Sequence, residues 1–162
     1  MSELFELAES VVKALSEKSL TVSFAESCTG GLLTKLITDV SGASNVLPGG
    51  VCSYSNDIKH RVLGVEEEKL KKFGAVSSPV AIEMARGVKK LMGSDIGVGT
   101  TGIAGPNSDN TKKPVGLVYV AVALPGRRYV CHEHHFEGDR DSVRRQTAET
   151  ALRYLDYYIK LL

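Results

Sequence analysis

The chain has 162 residues, the size of one domain. Hydrophobic residues make up 43% of it and charged residues 24%, which excludes a disordered chain because so apolar a sequence can bury a sizeable core. Twenty basic and nineteen acidic residues give a net charge of +1, so the total charge favours neither a nucleic-acid partner nor an acidic membrane. There is no CxxC pair, no signal-peptide pattern and no apolar stretch of membrane-spanning length, and we therefore expect a cytoplasmic protein.

Apolar periodicity predicts helices and strands that alternate along the chain. In the first half of the chain, the pattern predicts a helix over residues 3–17, a strand over 20–24, a helix over 32–40 and an extended segment over 46–54. Two short helices that end at Gly64 and Gly74 follow, and then a helix that is capped by Ser78 and ends at Gly93. In the second half, the pattern predicts a strand containing Ile96 and Val98, a polar loop over 107–114, strands over 115–124 and 128–136, and a final helix capped by Asp139 or Asp141.

This order of elements predicts the fold class. Strands that alternate with helices, with one hairpin at Pro125-Gly126, indicate a three-layer α/β/α sandwich on a mixed, mostly parallel sheet that includes one antiparallel hairpin. The sequence contains no internal repeat or linker, and we expect a single domain over residues 1–162.

The first candidate site is the segment Ala25–Gly31, which follows a predicted strand and precedes a helix. Open α/β sheets bind ligands at this position, and the N–H groups of a helix N-terminus favour an anion or a developing oxyanion. Ser27 is a candidate nucleophile, and the adjacent Cys28 is an alternative because helix N-termini lower thiol pKa values. A purely structural interpretation, in which Ser27 and Thr29 cap the helix, stays open.

The second candidate is Lys59, which follows Tyr54 after the next extended segment. A lysine whose pKa falls through burial can act as general base for a serine hydroxyl. The alternative for Lys59 is an ordinary solvated helix lysine, and for Tyr54 a packed ring.

Two further segments have residues suited to phosphate or ribose. Thr100–Pro106 combines glycines and hydroxyls after an apolar strand, and Gly138–Arg145 begins a helix with clustered arginines, which bind phosphate bidentately. Residues 131–135, Cys-His-Glu-His-His, suggest a metal site, but in a strand His132 and His134 share one face while Cys131 and His135 share the other. We therefore expect no metal.

Six ordered motifs together carry a family resemblance: AESCTGG, YSNDIKHRVLGV, GAVSSPVAIEMA, GTTGIAGP, KPVGLVYVA and FEGDRDSVRRQ. Over roughly residues 5–158 the chain resembles the CinA C-terminal family, which includes the bacterial nicotinamide-nucleotide amidohydrolases. The resemblance implies hydrolysis of the carboxamide of nicotinamide mononucleotide (NMN) to nicotinic acid mononucleotide and ammonia, without a cofactor.

The resemblance also implies roles for individual residues. Its nucleophile corresponds to Ser27, its assisting lysine to Lys59 and its tyrosine to Tyr54. The residues expected to contact substrate are Glu26, Cys28, Thr29, Gly30, Gly31, Thr101, Gly102 and Arg140. Backbone N–H groups from Cys28 to Gly30 are expected to stabilise the oxyanion.

Two points stay open at the level of sequence. The alternative function is a non-catalytic nucleotide-binding or accessory module related to competence or DNA damage, and ammonia release from NMN distinguishes the two. We expect no nucleic-acid partner, and a homo-oligomer through the last helix, which carries Tyr154, Tyr157 and Tyr158.

Overall fold

A computed structural model describes residues 2–162. The helices are α1 (Glu3–Glu17), α2 (Leu32–Thr38), α3 (Asn56–Leu63), α4 (Glu67–Phe73), α5 (Ser78–Met92) and α6 (Arg140–Leu161), with a 3₁₀ turn at Ala43–Asn45. The strands are β1 (Val22–Glu26), β2 (Gly50–Cys52), β3 (Ile96–Gly102), β4 (Leu117–Ala123) and β5 (Tyr129–His135).

The five strands form one mixed sheet in the order β2-β1-β3-β4-β5. β1 pairs in parallel with β2 and β3, whereas β4 pairs antiparallel with β3 and β5. Four strands therefore run in one direction and β4 alone runs in the other, which confirms the predicted mixed, mostly parallel sheet with its hairpin.

Helices cover both faces of the sheet and confirm the three predicted layers. One core joins α1, α2 and α6 to side chains such as Phe24, Val98 and Val120, all fully buried. On the opposite face, α5 lies directly on β3, where a Cβ at Gly99 would stand 2.6 Å from the carbonyl oxygen of Ala81. The parallel pairing of β1 with β3, in which Glu26 lies opposite Thr100, places the end of β3 beside the end of β1, where the candidate site lies.

Several predicted boundaries were wrong for local reasons. β1 begins at Val22 rather than at residue 20, because the N–H of Leu20 donates to the oxygen of Leu15 and still belongs to the end of α1. β2 is only three residues long, because Pro48 and Gly49 interrupt the extended segment before it.

The helix caps refine the prediction further. The N-cap of α5 is Ser77, not Ser78, and its hydroxyl donates to Gly74 instead of capping the helix. Asp139, one of the two predicted candidates, caps α6 by accepting from the N–H of Ser142 at 2.8 Å.

Candidate active site

The segment after β1 forms a tight turn at the carboxyl end of the parallel strands. The N–H of Ser27 donates to the oxygen of Thr100 at 3.0 Å, and the N–H of Ser53 donates to the oxygen of Glu26 at 2.8 Å. These bonds extend the parallel pairing on both sides of β1 by one residue. Ser27, 8% exposed, is therefore held between the ends of β2 and β3.

Two glycines let the chain reverse after Ser27. Gly30 and Gly31 have φ values of +59° and +100°, which L side chains rarely adopt. The N–H of Gly30 donates back to the oxygen of Ser27 at 3.2 Å and closes the turn over residues 27–30. The glycines thus shape the turn that presents Ser27.

The side chain of Lys59, in α3, extends to the Ser27 hydroxyl. It is 1% exposed, and Nζ lies 3.0 Å from Ser27 Oγ. Nζ also donates to the carbonyl oxygens of Ser53 and Tyr54 at 2.7 and 3.1 Å. Within residues 2–162 no carboxylate pairs with this ammonium.

Burial without a counter-charge changes the acidity of Lys59. Loss of water around the charged form lowers its pKa from 10.5 to about 8. An ammonium has three donors, and all three are used here. After loss of one proton, two N–H groups can stay on the Ser53 and Tyr54 carbonyls while the lone pair faces the Ser27 hydroxyl. This geometry suits a serine nucleophile with a lysine base.

Cys28, the alternative nucleophile, lies in different surroundings. It is 6% exposed within the main core, and burial raises the pKa of its thiol to about 12. The thiolate is the nucleophilic form, and this pKa keeps the Cys28 thiol protonated at neutral pH. The two neighbouring side chains therefore differ in chemistry, and the geometry favours Ser27.

Glu26 was predicted to contact substrate, but the structure uses its carboxylate inside the protein. The side chain is 1% exposed, accepts from the N–H groups of Leu33 and Thr34 at 2.8 and 3.0 Å, and accepts from the Thr34 hydroxyl at 2.7 Å. A carboxylate at this position is favourable because the N-terminus of α2 is positive. The same contacts occupy that helix end, so it is not available to a substrate anion.

The two threonines predicted at the site also bond within the protein. Thr29 Oγ1 lies 2.8 Å from Thr100 Oγ1, and both side chains are fully buried. The Thr101 hydroxyl donates to the oxygen of Ala75 at 2.8 Å and is 1% exposed. Thr101 therefore stabilises the segment before α5, and its side chain does not line the neighbouring cleft.

That cleft has a volume of about 470 Å³ and lies where β3 ends, and neither Ser27 nor Lys59 is among the residues that line it. Its lining includes Gly102, Tyr54 and Arg140, together with the loop from Ile103 to Asp109. Arg140 Nη1 donates to the oxygen of Gly105 at 2.7 Å, and Nη2 donates to the Tyr54 hydroxyl at 3.3 Å. The structure thus brings these three predicted residues to one cleft.

Tyr54 contributes to two places at once. Its backbone oxygen accepts from Lys59, whereas its ring is 67% exposed at the rim of the cleft. The hydroxyl bonds to Arg140 and makes no hydrogen bond to Ser27 or Lys59. In this conformation the Tyr54 side chain lines the cleft and takes no part in a proton relay between Ser27 and Lys59.

Arg144 lies in the predicted arginine cluster but was not singled out, and it contacts the turn that carries Ser27 directly. Its Nε donates to the oxygen of Cys28 at 3.1 Å and its Nη2 to the oxygen of Thr29 at 3.0 Å. A signal was present, because residues four apart lie on the same face of a helix. Arg140 was predicted at the site, so the spacing also directs Arg144 towards it.

The histidines of β5 lie on a different surface. His132 Nε2 lies 3.1 Å from the Tyr158 hydroxyl, and His134 Nε2 lies 2.6 Å from the Tyr154 hydroxyl, both on α6. Across residues 2–162 no three His, Cys, Asp or Glu side chains are grouped to hold a metal ion. Nor does the described part of the chain contain a helix long and apolar enough to cross a membrane.

Comparison with known proteins identifies the family. A model of the CinA C-terminal domain matches residues 4–159. The chain belongs to the CinA C-terminal domain family. Among CinA relatives, it is 46% identical over 154 residues to the nicotinamide-nucleotide amidohydrolase PncC of Escherichia coli strain K12, covering 95% of this chain and 93% of that protein.

Other CinA relatives are much longer. A CinA-like protein of Thermotoga maritima is 45% identical over 154 residues, which cover 95% of this chain and 37% of that protein. The chain thus spans little more than a third of the length of such relatives.

Solved CinA structures share the whole fold. The competence/damage inducible protein CihA from Agrobacterium tumefaciens has a TM-score of 0.94 and 37% identity, covering 99% of this chain and 97% of that one. A CinA superfamily protein from Klebsiella pneumoniae has a TM-score of 0.96 and 30% identity, and the match covers 99% of this chain and 100% of that one.

Proposed function

We propose that the chain hydrolyses the carboxamide of NMN to nicotinic acid mononucleotide and ammonia through an acyl intermediate on Ser27. The observation that carries this proposal is the buried Lys59 amine 3.0 Å from the Ser27 hydroxyl. The substrate class is supported by the relative in E. coli that is named a nicotinamide-nucleotide amidohydrolase.

In the proposed acylation step, neutral Lys59 accepts the hydroxyl proton as Ser27 Oγ bonds to the carboxamide carbon. The carbonyl electron pair moves onto oxygen and forms a tetrahedral oxyanion. When this intermediate collapses, the C–N bond breaks, Lys59 returns its proton to the leaving nitrogen, and ammonia departs. A lysine with a pKa of about 8 can serve both as base and as acid near neutral pH.

Deacylation repeats the same proton transfers with water. A water molecule adds to the ester carbon and gives one proton to Lys59, and the ester C–O bond then breaks. Ser27 recovers its proton from Lys59, and the acid product leaves. Every proton moves among Ser27, Lys59, substrate and water, so the scheme requires no cofactor.

The cleft lined by Tyr54, whose backbone oxygen accepts from Lys59, supplies the proposed nucleotide site. Arg140 donates one N–H each to Gly105 and Tyr54, which leaves three of its five N–H groups for a phosphate. The exposed Tyr54 ring and the backbone of Gly102 complete the walls proposed to hold the ribose and pyridine. The carboxamide then lies towards Ser27.

The test is ammonia release from NMN by purified protein. We expect turnover by the wild-type chain, none by Ser27→Ala, and retained turnover by Cys28→Ala, the matched control in the same turn. Retained activity in Ser27→Ala with loss in Cys28→Ala would reverse the assignment. Tight NMN binding without ammonia release would favour the accessory module instead.

Assembly into a homo-oligomer and a single domain over residues 1–162 stay predictions. Tyr157, 59% exposed on α6, is the aromatic residue we propose for an interface between copies. Sedimentation of the purified chain tests the first of these, and a single cooperative unfolding transition tests the second.

A further inference from the structure

Arg144 binds two successive backbone carbonyls of the turn that carries Ser27. Its guanidinium donates to Cys28 from Nε and to Thr29 from Nη2. A Cβ at Gly30 would stand 3.1 Å from the same Nη2, so the absence of a side chain at Gly30 leaves room for the guanidinium. Arg144 and Cys28 are 116 residues apart in the sequence, and their contact places a positive charge against the carbonyl side of the turn.

These contacts determine where the opposite ends of the two peptide groups point. In a trans peptide the N–H and the C=O point in opposite directions. The Cys28 carbonyl faces Arg144, so the Thr29 N–H of that same peptide group faces away from it. The next peptide group, between Thr29 and Gly30, has the same orientation. Its carbonyl, on Thr29, accepts from Arg144, and its N–H, on Gly30, points the other way and donates to the oxygen of Ser27.

The Thr29 N–H is the donor of interest. Within residues 2–162 it has no hydrogen-bond acceptor. Thr29 lies two residues after Ser27, inside the turn that the Gly30 N–H closes on the Ser27 oxygen. Its N–H is therefore available, in the same turn as the Ser27 side chain, to an oxyanion formed on the carbon that Ser27 attacks.

We propose that Arg144 is a positioning residue that holds and polarises the Thr29 N–H as an oxyanion donor for the Ser27 reaction. This inference rests on the proposed function, since the oxyanion belongs to that reaction. A cation on the carbonyl draws electron density from the amide and makes its N–H a stronger donor, because linked hydrogen bonds polarise one another. Arginine suits the position because its planar fork reaches two acceptors at once, which a lysine cannot do.

The experiment compares Arg144→Ala and Arg144→Lys with Arg145→Ala as the matched control. Arg145 is the next residue on α6, pairs with exposed Asp141 at 2.9 Å and contacts no part of the site. For NMN hydrolysis we expect kcat to fall roughly 10–100-fold in Arg144→Ala, less than the 10²–10³-fold typical of deleting a donor, because the N–H is displaced rather than removed. We expect KM to stay within about twofold, a smaller loss in Arg144→Lys, and wild-type kinetics in Arg145→Ala.

A second readout avoids NMN altogether. An alkyl fluorophosphonate labels an activated serine: the Ser27 oxygen bonds to phosphorus, the P–F bond breaks, fluoride leaves, and Lys59 takes the hydroxyl proton. The phosphoryl oxygen gains negative charge as the oxyanion does. We expect the labelling rate at Ser27 to fall by the same factor as kcat in Arg144→Ala, while the final extent stays at one label per chain.

The outcomes separate this inference from the proposed function. Labelling of the wild type without ammonia release would reject NMN as substrate, and the variant labelling rates would still decide the role of Arg144. Unchanged kcat and labelling rate in both Arg144 variants would overturn the inference, as would a loss confined to KM. A lower melting temperature with a reduced extent of labelling, but a normal rate for the folded fraction, would assign Arg144 a purely structural role. A wild type that shows neither reaction would overturn both proposals.

Discussion

Lys59 Nζ lies 3.0 Å from Ser27 Oγ, although 32 residues separate the two along the chain. The ammonium is 1% exposed, and its hydrogen-bond partners are two carbonyl oxygens and the Ser27 hydroxyl, none of which carries a negative charge. Buried charges in proteins are usually paired, because removing an ion from water costs several kcal/mol. This lysine therefore weakens the fold in its charged form and is suited to lose its proton, which ties the chemistry of the site to its stability.

The first prediction concerns the pH dependence of turnover. The proposed base, Lys59, can accept a proton only when it is neutral, and burial lowers its pKa to about 8. Activity should therefore be low at pH 6 and rise with pH through an apparent pKa near 8, followed as kcat/KM for NMN, which reports the free enzyme. A profile that is flat between pH 6 and 9 would contradict a lysine base.

Lys59→Arg provides the matched control for that profile. Arginine keeps the positive charge but does not lose its proton in this range. We expect activity below about 1% of wild type and no rise with pH, since general-base catalysis contributes roughly 10²–10⁴-fold. Normal rates in Lys59→Arg would remove the lysine from the mechanism.

The second prediction is that Lys59 costs stability at neutral pH. Its pKa of about 8 in the folded chain lies below that of an unfolded lysine, so between these values the unfolded state binds more protons and wild-type stability rises with pH. Methionine in Lys59→Met does not titrate. Relative to this variant, the wild type should gain about 2 kcal/mol in free energy of unfolding between pH 7 and pH 9.5.

Urea unfolding of both chains at the two pH values measures this gain. The informative quantity is the change, between the two pH values, in the stability difference between wild type and variant. The difference at a single pH is less informative, because the variant also leaves the Ser53 and Tyr54 carbonyls without their donor. Stability differences that are equal at the two pH values would show that Lys59 does not titrate in this range.

The fold could be predicted from sequence because its elements have strong local signals. Alternating apolar segments, the Pro125-Gly126 hairpin and the capping residue Asp139 all indicate the structure that is found. The pairing of Ser27 with Lys59 could not be derived from spacing, because it depends on β1 and β2 lying side by side. The resemblance supplied that pair, and the geometry gives the physical reason for it.

The motif residues show where sequence reasoning fails at the site. Glu26 and Thr101 lie in motifs that resemble functional ones, yet both side chains are buried and bonded within the protein. A sequence pattern indicates that a residue is near a site, but it does not indicate which way the side chain points. Arg144 is the converse case, since its contact depends on where α6 docks.

The third prediction assigns Glu26 to stability rather than to substrate binding. Glu26→Gln replaces one accepting oxygen by an NH₂ group, which would face the N–H of Leu33 or of Thr34. Losing such a charged acceptor should lower the free energy of unfolding by roughly 1.5–3 kcal/mol. Glu68→Gln, at an exposed position of α4, should change it by less than about 0.5 kcal/mol. Denaturant unfolding measures both, and a raised KM for NMN with unchanged stability would instead place Glu26 at the substrate.

The fourth prediction concerns the phosphate of the proposed substrate. The charge of the whole chain is close to zero, so a dianionic phosphate requires a local cation. Arg140 lines the cleft and keeps three N–H groups free after its bonds to Gly105 and Tyr54. Charge-assisted hydrogen bonds of this kind contribute on the order of 1.5–3 kcal/mol each.

Arg140→Ala should therefore lower kcat/KM for NMN by roughly 10–200-fold, at about 1.4 kcal/mol per factor of ten. The same change should have little effect on nicotinamide riboside, which offers the same carboxamide and ribose but no phosphate. Arg145→Ala, a few residues along the same helix and paired with Asp141, should affect neither substrate. The test is ammonia release from NMN and from nicotinamide riboside by the wild type, Arg140→Ala and Arg145→Ala. Equal losses on NMN and on the riboside would mean that Arg140 acts by holding the oxygen of Gly105 and the rim of the cleft, and the phosphate would then have to bind elsewhere.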